Sequence, residues 1–222
     1  MPRCHQIVVW AIAGGLTLGL SASVRAADPA TVGAEGGINF NSASLSGSDA
    51  AGVETTAKTG LTVGMFVSVP ISTMFSVQPE LIYTTKSVKL GGTGSMSGYA
   101  GNIQADFVEV PALVKVNLTN VKSPRYYVVA GPGFAFTTTA KLTDQTFDGQ
   151  TLPDQDLKAN DSFHSTDFTF IVGFGLDKGP FGVEARYDAG LLNMNKTTAS
   201  DNTDIKLRVF SILGRWTFNF RK

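Results

Sequence analysis

Beyond the first 26 residues the chain keeps one histidine, His164, in the run Phe163-His164-Ser165-Thr166-Asp167. An imidazole among hydroxyls and carboxylates is the make-up of a nucleophilic hydrolase. Ser162, Ser165 or Thr166 would attack, His164 would take the proton, and Asp167 or Asp188 would orient the ring. No separate motif fixes that spacing, and a loop histidine without a catalytic role is the plainer reading, so no catalytic residue is assigned. A second set is acidic: Asp144, Asp148, Asp154, Asp156, Asp161 and Asp167 face only Lys141 and Lys158 across 141–167. Oxygen ligands suit Ca²⁺ or Mg²⁺, but the spacing is not that of an EF-hand, so a solvated acidic loop is preferred and no metal is assigned. Gly91-Gly92-Thr93-Gly94-Ser95 invites a phosphate loop. No Gly-Lys-Ser/Thr follows, and no cofactor is assigned.

A third set is spread through regular segments: Glu80, Lys86, Glu109, Lys115, Glu184, Arg186, Asp188 and Arg215, four of each sign. Their setting is unusual. The 222 residues hold 18 Lys+Arg and 18 Asp+Glu, only 16% charged with 43% hydrophobic, against roughly 25% charged for a soluble domain. The balance leaves no basic excess for phosphates, which argues against a nucleic-acid partner. With 24 Gly and 15 Phe, the composition disfavours helices.

Residues 1–26 read as a cleaved signal peptide. Arg3 precedes an apolar run from 7 to 20, and Val24-Arg25-Ala26 ends in a small residue. That run is short of the roughly 20 residues that span a bilayer as a helix. Cleavage would leave 27–222 as one domain, with 16 basic and 18 acidic side chains and no cysteine. An exported chain of that kind is held together without disulfides. No later segment reaches 18 uninterrupted apolar residues, which excludes a helical membrane protein.

Period-two alternation recurs instead, at 59–69, 75–88, 107–118, 126–138, 168–176, 181–189 and 206–220, with a weaker run at 33–45. In 107–118, Val108, Val110, Ala112, Val114 and Val116 oppose Glu109, Lys115 and Asn117. Short connections at 70–74, 119–124 and 177–180 alternate with long polar ones at 46–58, 89–102, 141–167 and 190–204. Even strand number with alternating short turns and long loops is the layout of an outer-membrane barrel. A soluble lipocalin-like barrel would share the periodicity. The chemistry of the faces favours the membrane: one carries Val, Leu and Phe, with Phe75, Tyr126, Phe181, Trp216, Phe218 and Phe220 near strand ends as interface girdles. The other mixes Gly and Ala with balanced charges, which suits a narrow interior. Pro79, Pro111 and Pro132 fall inside strands and lack the N–H a ladder uses, so bulges are expected there.

Phe75-Ser76-Val77-Gln78-Pro79-Glu80-Leu81, Val108-Glu109-Val110-Pro111-Ala112-Leu113, Ala130-Gly131-Pro132-Gly133, Gly182-Val183-Glu184-Ala185-Arg186-Tyr187 and Trp216-Thr217-Phe218-Asn219-Phe220 resemble the outer-membrane β-barrel domain family, also called PorT-like. The likeness covers about 33–220. It implies an eight-stranded antiparallel up-and-down transmembrane barrel in the outer membrane of a Gram-negative bacterium, and it supplies no catalytic residues. Arg221 and Lys222 follow the terminal aromatic, a departure that predicts a weaker assembly signal.

Eight strands enclose an interior that side chains can fill. Buried ions there must neutralise one another, so Glu80, Glu109 and Glu184 are expected to pair with Lys115, Arg186 and Arg215 in a structural network that plugs the lumen. The expected role is non-enzymatic, in envelope structure or surface interaction through external loops. The alternatives are a narrow small-solute channel and a lipid-modifying hydrolase using His164. The expected partners are outer-membrane lipids, the barrel-assembly machinery, and an extracellular ligand met by the loops.

Overall fold

The computed structural model describes residues 29–46, 52–94, 97–119, 123–157, 165–192 and 204–218. The predicted signal peptide, His164, Ser162, Asp161, Phe220 and the terminal Arg221 and Lys222 lie outside them. Eight long strands form the wall: β1 (Thr31–Ser46), β2 (Val53–Pro70), β3 (Phe75–Gly92), β4 (Tyr99–Asn117), β5 (Arg125–Phe147), β8 (Thr166–Lys178), β9 (Phe181–Gly190) and β10 (Asp204–Phe218). Two-residue strands β6 (Gln150–Thr151) and β7 (Gln155–Asp156) fold back onto β5. Each long strand is antiparallel to its sequence neighbours, and β1 pairs with β10 to close the ring.

Closure fixes the dimensions of the lumen. Cross-strand partners can be followed once round the ring from Val69 through Val77, Val114, Ala130, Val172, Tyr187, Phe210 and Phe40 to Thr59. The path leaves β2 at residue 69 and returns to it at residue 59, a shear of ten. Eight strands with that shear tilt by about 40° and give a backbone radius of about 8 Å.

Alternation then sorts the side chains. Leu61, Val63, Leu81, Val110, Val114, Val172 and Val183 project outward and are exposed. Two aromatic belts flank them. Toward the short turns lie Phe75, Tyr126, Phe181 and Trp216, with Phe181 stacked on Trp216 at 6.2 Å and Tyr126 on Phe174 at 6.3 Å. Toward the long loops lie Phe40, Tyr83, Phe134 and Phe210, with Phe40 stacked on Phe210 at 6.4 Å and Phe134 edge-on to Phe168 at 5.1 Å. From Tyr126 to Phe134, eight residues at about 3.4 Å each and tilted by about 40° span about 20 Å, near the height of an outer-membrane apolar band.

The strands outrun that band at the loop end. β5 has 23 residues and carries the chain well into the expected acidic loop, turning at Asp148-Gly149. There Asn102 donates to Asp144 Oδ2 at 2.8 Å, and the Asp144 N–H donates to Asp154 Oδ1 at 3.3 Å. These aspartates brace a hairpin. The expected bulges at Pro79, Pro111 and Pro132 are not where the register slips. The β3–β4 ladder opens after Pro79↔Ala112 and resumes at Ile82↔Glu109 in the same register, and β4–β5 does the same between Pro111↔Gly133 and Val114↔Ala130. A missing N–H removes one bond and inserts no residue. The register shifts lie higher, between Ala57 and Thr62 and beside Ala100 and Asp106. At the bilayer midplane, Val172→Arg is expected to lower the unfolding free energy by about 2–4 kcal/mol, read by urea titration of the heat-modifiable gel band. An unchanged midpoint would place Val172 away from lipid.

Candidate functional site

The inward face of the ring is where this chain concentrates its polar chemistry. Glu35, Glu80, Lys86, Glu109, Lys115, Asp167, Glu184, Arg186, Asp188 and Arg215 are all buried there. At the centre are two guanidiniums. Arg186 grips Glu80 through Nη1 at 2.7 Å and Nη2 at 3.1 Å, and Glu184 through Nε at 2.8 Å and Nη2 at 2.6 Å. Arg215 Nη1 donates to Glu184 Oε2 at 2.8 Å and to the Tyr127 hydroxyl at 2.7 Å, and that hydroxyl donates to Glu184 at 3.0 Å. Gln78 donates to Glu80 Oε1 at 2.7 Å. The network therefore ties β3, β5, β9 and β10 across the lumen. Arginine suits this place because its planar fork meets carboxylates bidentately.

Two glycines make room for the network's aromatic walls. Gly175 lies opposite Tyr127 and Gly33 opposite Phe66, and a Cβ at either glycine would run into the facing ring. The rings lean into that space and cover the cations. Lys115 Nζ stands 3.6 Å from the Tyr127 centroid, and the Arg215 guanidinium carbon 4.0 Å from that of Phe66. Cation–π attraction of this kind strengthens where water is excluded.

All six residues of the expected network are thus in the lumen, but the pairing differs in two places. Glu109 pairs with Lys86 at 2.5 Å, and Lys115 pairs with Asp177 at 2.6 Å. Lys86 lies within reach of Glu109, and Asp177, in a position the spacing makes a turn, stands at the end of β8 within reach of Lys115. The alternation does not mark Glu35, Asp167 and Asp177 as interior groups, nor Phe66 and Tyr127 as walls of the network. With Glu35 and Asp167 the expected charge balance fails, since six buried acids face four buried cations. Glu35 is the acid of the arginine cluster that lacks hydrogen bonds. It stands 3.2 Å from Arg215 Nε and 3.6 Å from Arg186 Nη1, with no hydrogen bond to either oxygen.

Of the residues considered for hydrolysis, Asp167 and Asp188 are buried inside the barrel, and Asp167 Oδ1 accepts from the Leu192 N–H at 3.4 Å. Among the described residues, no three acidic, histidine or cysteine side chains gather to hold a metal.

A closed, lipid-faced ring around a charged interior defines an integral outer-membrane β-barrel protein. A family model described as outer membrane protein beta-barrel domain matches residues 21–196, and the chain belongs to that family, which places it in the outer membrane of a Gram-negative bacterium. The match carries no PorT-like designation. Among solved structures the chain is similar to the outer membrane protein OprG from Pseudomonas aeruginosa, at 14% identity and a TM-score of 0.48, over 85% of this chain and 96% of that one. It is also similar to Ail, the attachment invasion locus protein of Yersinia pestis, solved in complex with the heparin analogue sucrose octasulfate, at 14% identity and a TM-score of 0.43, over 86% of this chain and 100% of that one. No curated protein matches.

Removing one partner of a buried ionic cluster strands the others, whereas neutralising a surplus charge does not. Arg186→Met is expected to cost about 3–5 kcal/mol. Glu35→Gln, which keeps the shape and removes an acid without hydrogen bonds, is expected to change stability by less than about 1 kcal/mol. Urea midpoints of the two variants check the order, and an equal loss in both would refute it.

Proposed function

We propose that this protein is a non-enzymatic envelope barrel whose lumen is sealed by its own charged side chains, and that its work is structural or adhesive, done at its external end. The observation that carries the reading is the Arg186 and Arg215 cluster, which crosses the lumen from β3, β5, β9 and β10 and is almost entirely buried. A radius of about 8 Å leaves little beyond side-chain volume once arginine, tyrosine and three carboxylates occupy one level. Solute would have to break bidentate, charge-assisted hydrogen bonds to pass. The external end, in contrast, is built up: β2 to β5 rise past the upper aromatic belt, and β6 and β7 add to β5. A rigid wall that raises a hairpin clear of the bilayer is suited to presenting it to a partner.

Planar-bilayer recording on the purified barrel tests the sealed lumen. The native protein is expected to give no steady conductance, and the Glu80→Ala, Arg186→Ala double variant, which removes a matched pair, is expected to give small, reproducible openings. Steady conductance from native protein would sink the sealed-lumen reading in favour of a channel.

A further inference from the structure

On the outer face of the seam between β1 and β10, the wall carries two cations where it leaves the bilayer. Lys206 and Arg208 alternate with the buried Leu207 and Val209, so both point outward with Phe210, and both are exposed. Phe210 belongs to the upper aromatic belt. Two and four residues beyond it, at about 3.4 Å each and tilted by about 40°, Arg208 and Lys206 stand about 5 and about 10 Å above the rings. Arg208 is therefore in the polar headgroup layer, and Lys206 is just beyond it, within reach through its flexible stem. Long loops of such barrels are external, so the layer is that of the outer leaflet. We propose that this seam is a binding site for one phosphorylated glycolipid of that leaflet, lipid A, with Arg208 and Lys206 on a phosphate and the acyl chains against the rings below.

Charge, space and apolar support come together in one short stretch. The paired segments 40–44 and 206–210 contain no acid, and the one acid of the adjoining stretch of β9, Asp188, is buried in the lumen. Neither cation has an ion pair among the described residues. Their cross-strand neighbours are small: Arg208 lies between Ser42 and Ala189, and Lys206 opposite Ser44. Small neighbours leave a guanidinium fork uncovered, free for the bidentate contact that phosphate oxygens accept. Below the cations, Phe40 stacks on Phe210 at 6.4 Å and Tyr187 stands beside Phe210 in register, all three exposed. Basic groups set directly above a lipid-facing aromatic surface suit an amphiphile with an anionic head. The opposite side of the ring differs. There Lys141 has Asp156 as its cross-strand partner, and Lys89 stands across from Asn102, which holds Asp144. A free phosphate ion would answer the two cations of the seam and leave the rings uncovered, whereas a phosphorylated lipid answers both.

The inference is independent of whether the lumen is sealed, because both cations lie outside it. It is tested on the full mature protein in detergent by native mass spectrometry, with lipid A, its dephosphorylated form, and inorganic phosphate as a competitor. One lipid A is expected to be retained per barrel, and phosphate is expected not to displace it. Dephosphorylating the lipid, or making the Lys206→Ala, Arg208→Ala double variant, is expected to weaken retention by about tenfold or more. The Lys89→Ala, Lys141→Ala double variant, which removes as much charge from the opposite side, is expected to hold the lipid as the native protein does. The heat-modifiable band verifies that each variant is folded. Equal retention of the dephosphorylated lipid, unchanged affinity in the Lys206, Arg208 variant, an equal loss in the Lys89, Lys141 variant, or displacement by phosphate would overturn the assignment.

Discussion

Hydrocarbon offers no hydrogen bonds, so every backbone N–H and C=O of a strand that crosses it must find a partner on another strand. That requirement closes the sheet, and the rest of the molecule follows from the closure. With eight strands and a shear of ten, the inward side chains are pressed into a tube about 8 Å in backbone radius. Water cannot fill such a tube as it fills a porin. Whatever polar groups the sequence places on the inner face must therefore satisfy one another. Those groups are arranged in layers along the axis: Lys115 with Asp177, then Arg215 and Arg186 with Glu184, Glu80 and Glu35, then Asn39 with Thr62 and Thr84, and finally Lys86 with Glu109.

Within that tube the hierarchy of interactions depends on donor geometry more than on charge. Glu80 and Glu184 each receive an arginine fork and one neutral donor, Gln78 or Tyr127. Glu35 is similarly close to two guanidiniums, yet neither aims an N–H at it. Coulomb attraction alone recovers little of the desolvation of a buried carboxylate, and directed hydrogen bonds recover most of it. Glu35 is thus carried by the field of the cluster, and Glu80 and Glu184 by its bonds.

The barrel was legible in the sequence because period two is a property of the wall itself. The outward row of 107–118, Val110 and Val114, is exposed, and its inward row, Glu109 and Lys115, is buried, as the alternation requires. What was not legible depends on where strands end. The spacing of the sequence puts Asp177 in a turn and Asp167 in a loop, yet β8 begins at Thr166 and ends at Lys178, so one residue at each end becomes lumenal. Glu35 sits in the glycine-rich β1, where Gly33, Gly36 and Gly37 blur the alternation. The partners of Glu109 and Lys115 were out of reach for a different reason. Periodicity gives the face of a residue, but the stagger that gives its level belongs to the closed ring.

The glycines of the inner face have a use that composition could not disclose. A strand with Gly at an inward position is weaker in isolation. Opposite Tyr127 and Phe66, however, the missing side chain at Gly175 and Gly33 lets an aromatic ring lie flat along the wall. Each ring lies against the wall beside its glycine and offers its face to a cation, Lys115 or Arg215. Substituting either glycine would do more than crowd the core. It would lift the ring from Lys115 or Arg215, and with Tyr127 it would also withdraw the hydroxyl that Glu184 and Arg215 share. Strand packing and lumenal electrostatics are thus set by the same cross-strand pairs, and the narrowness of the barrel makes the two inseparable.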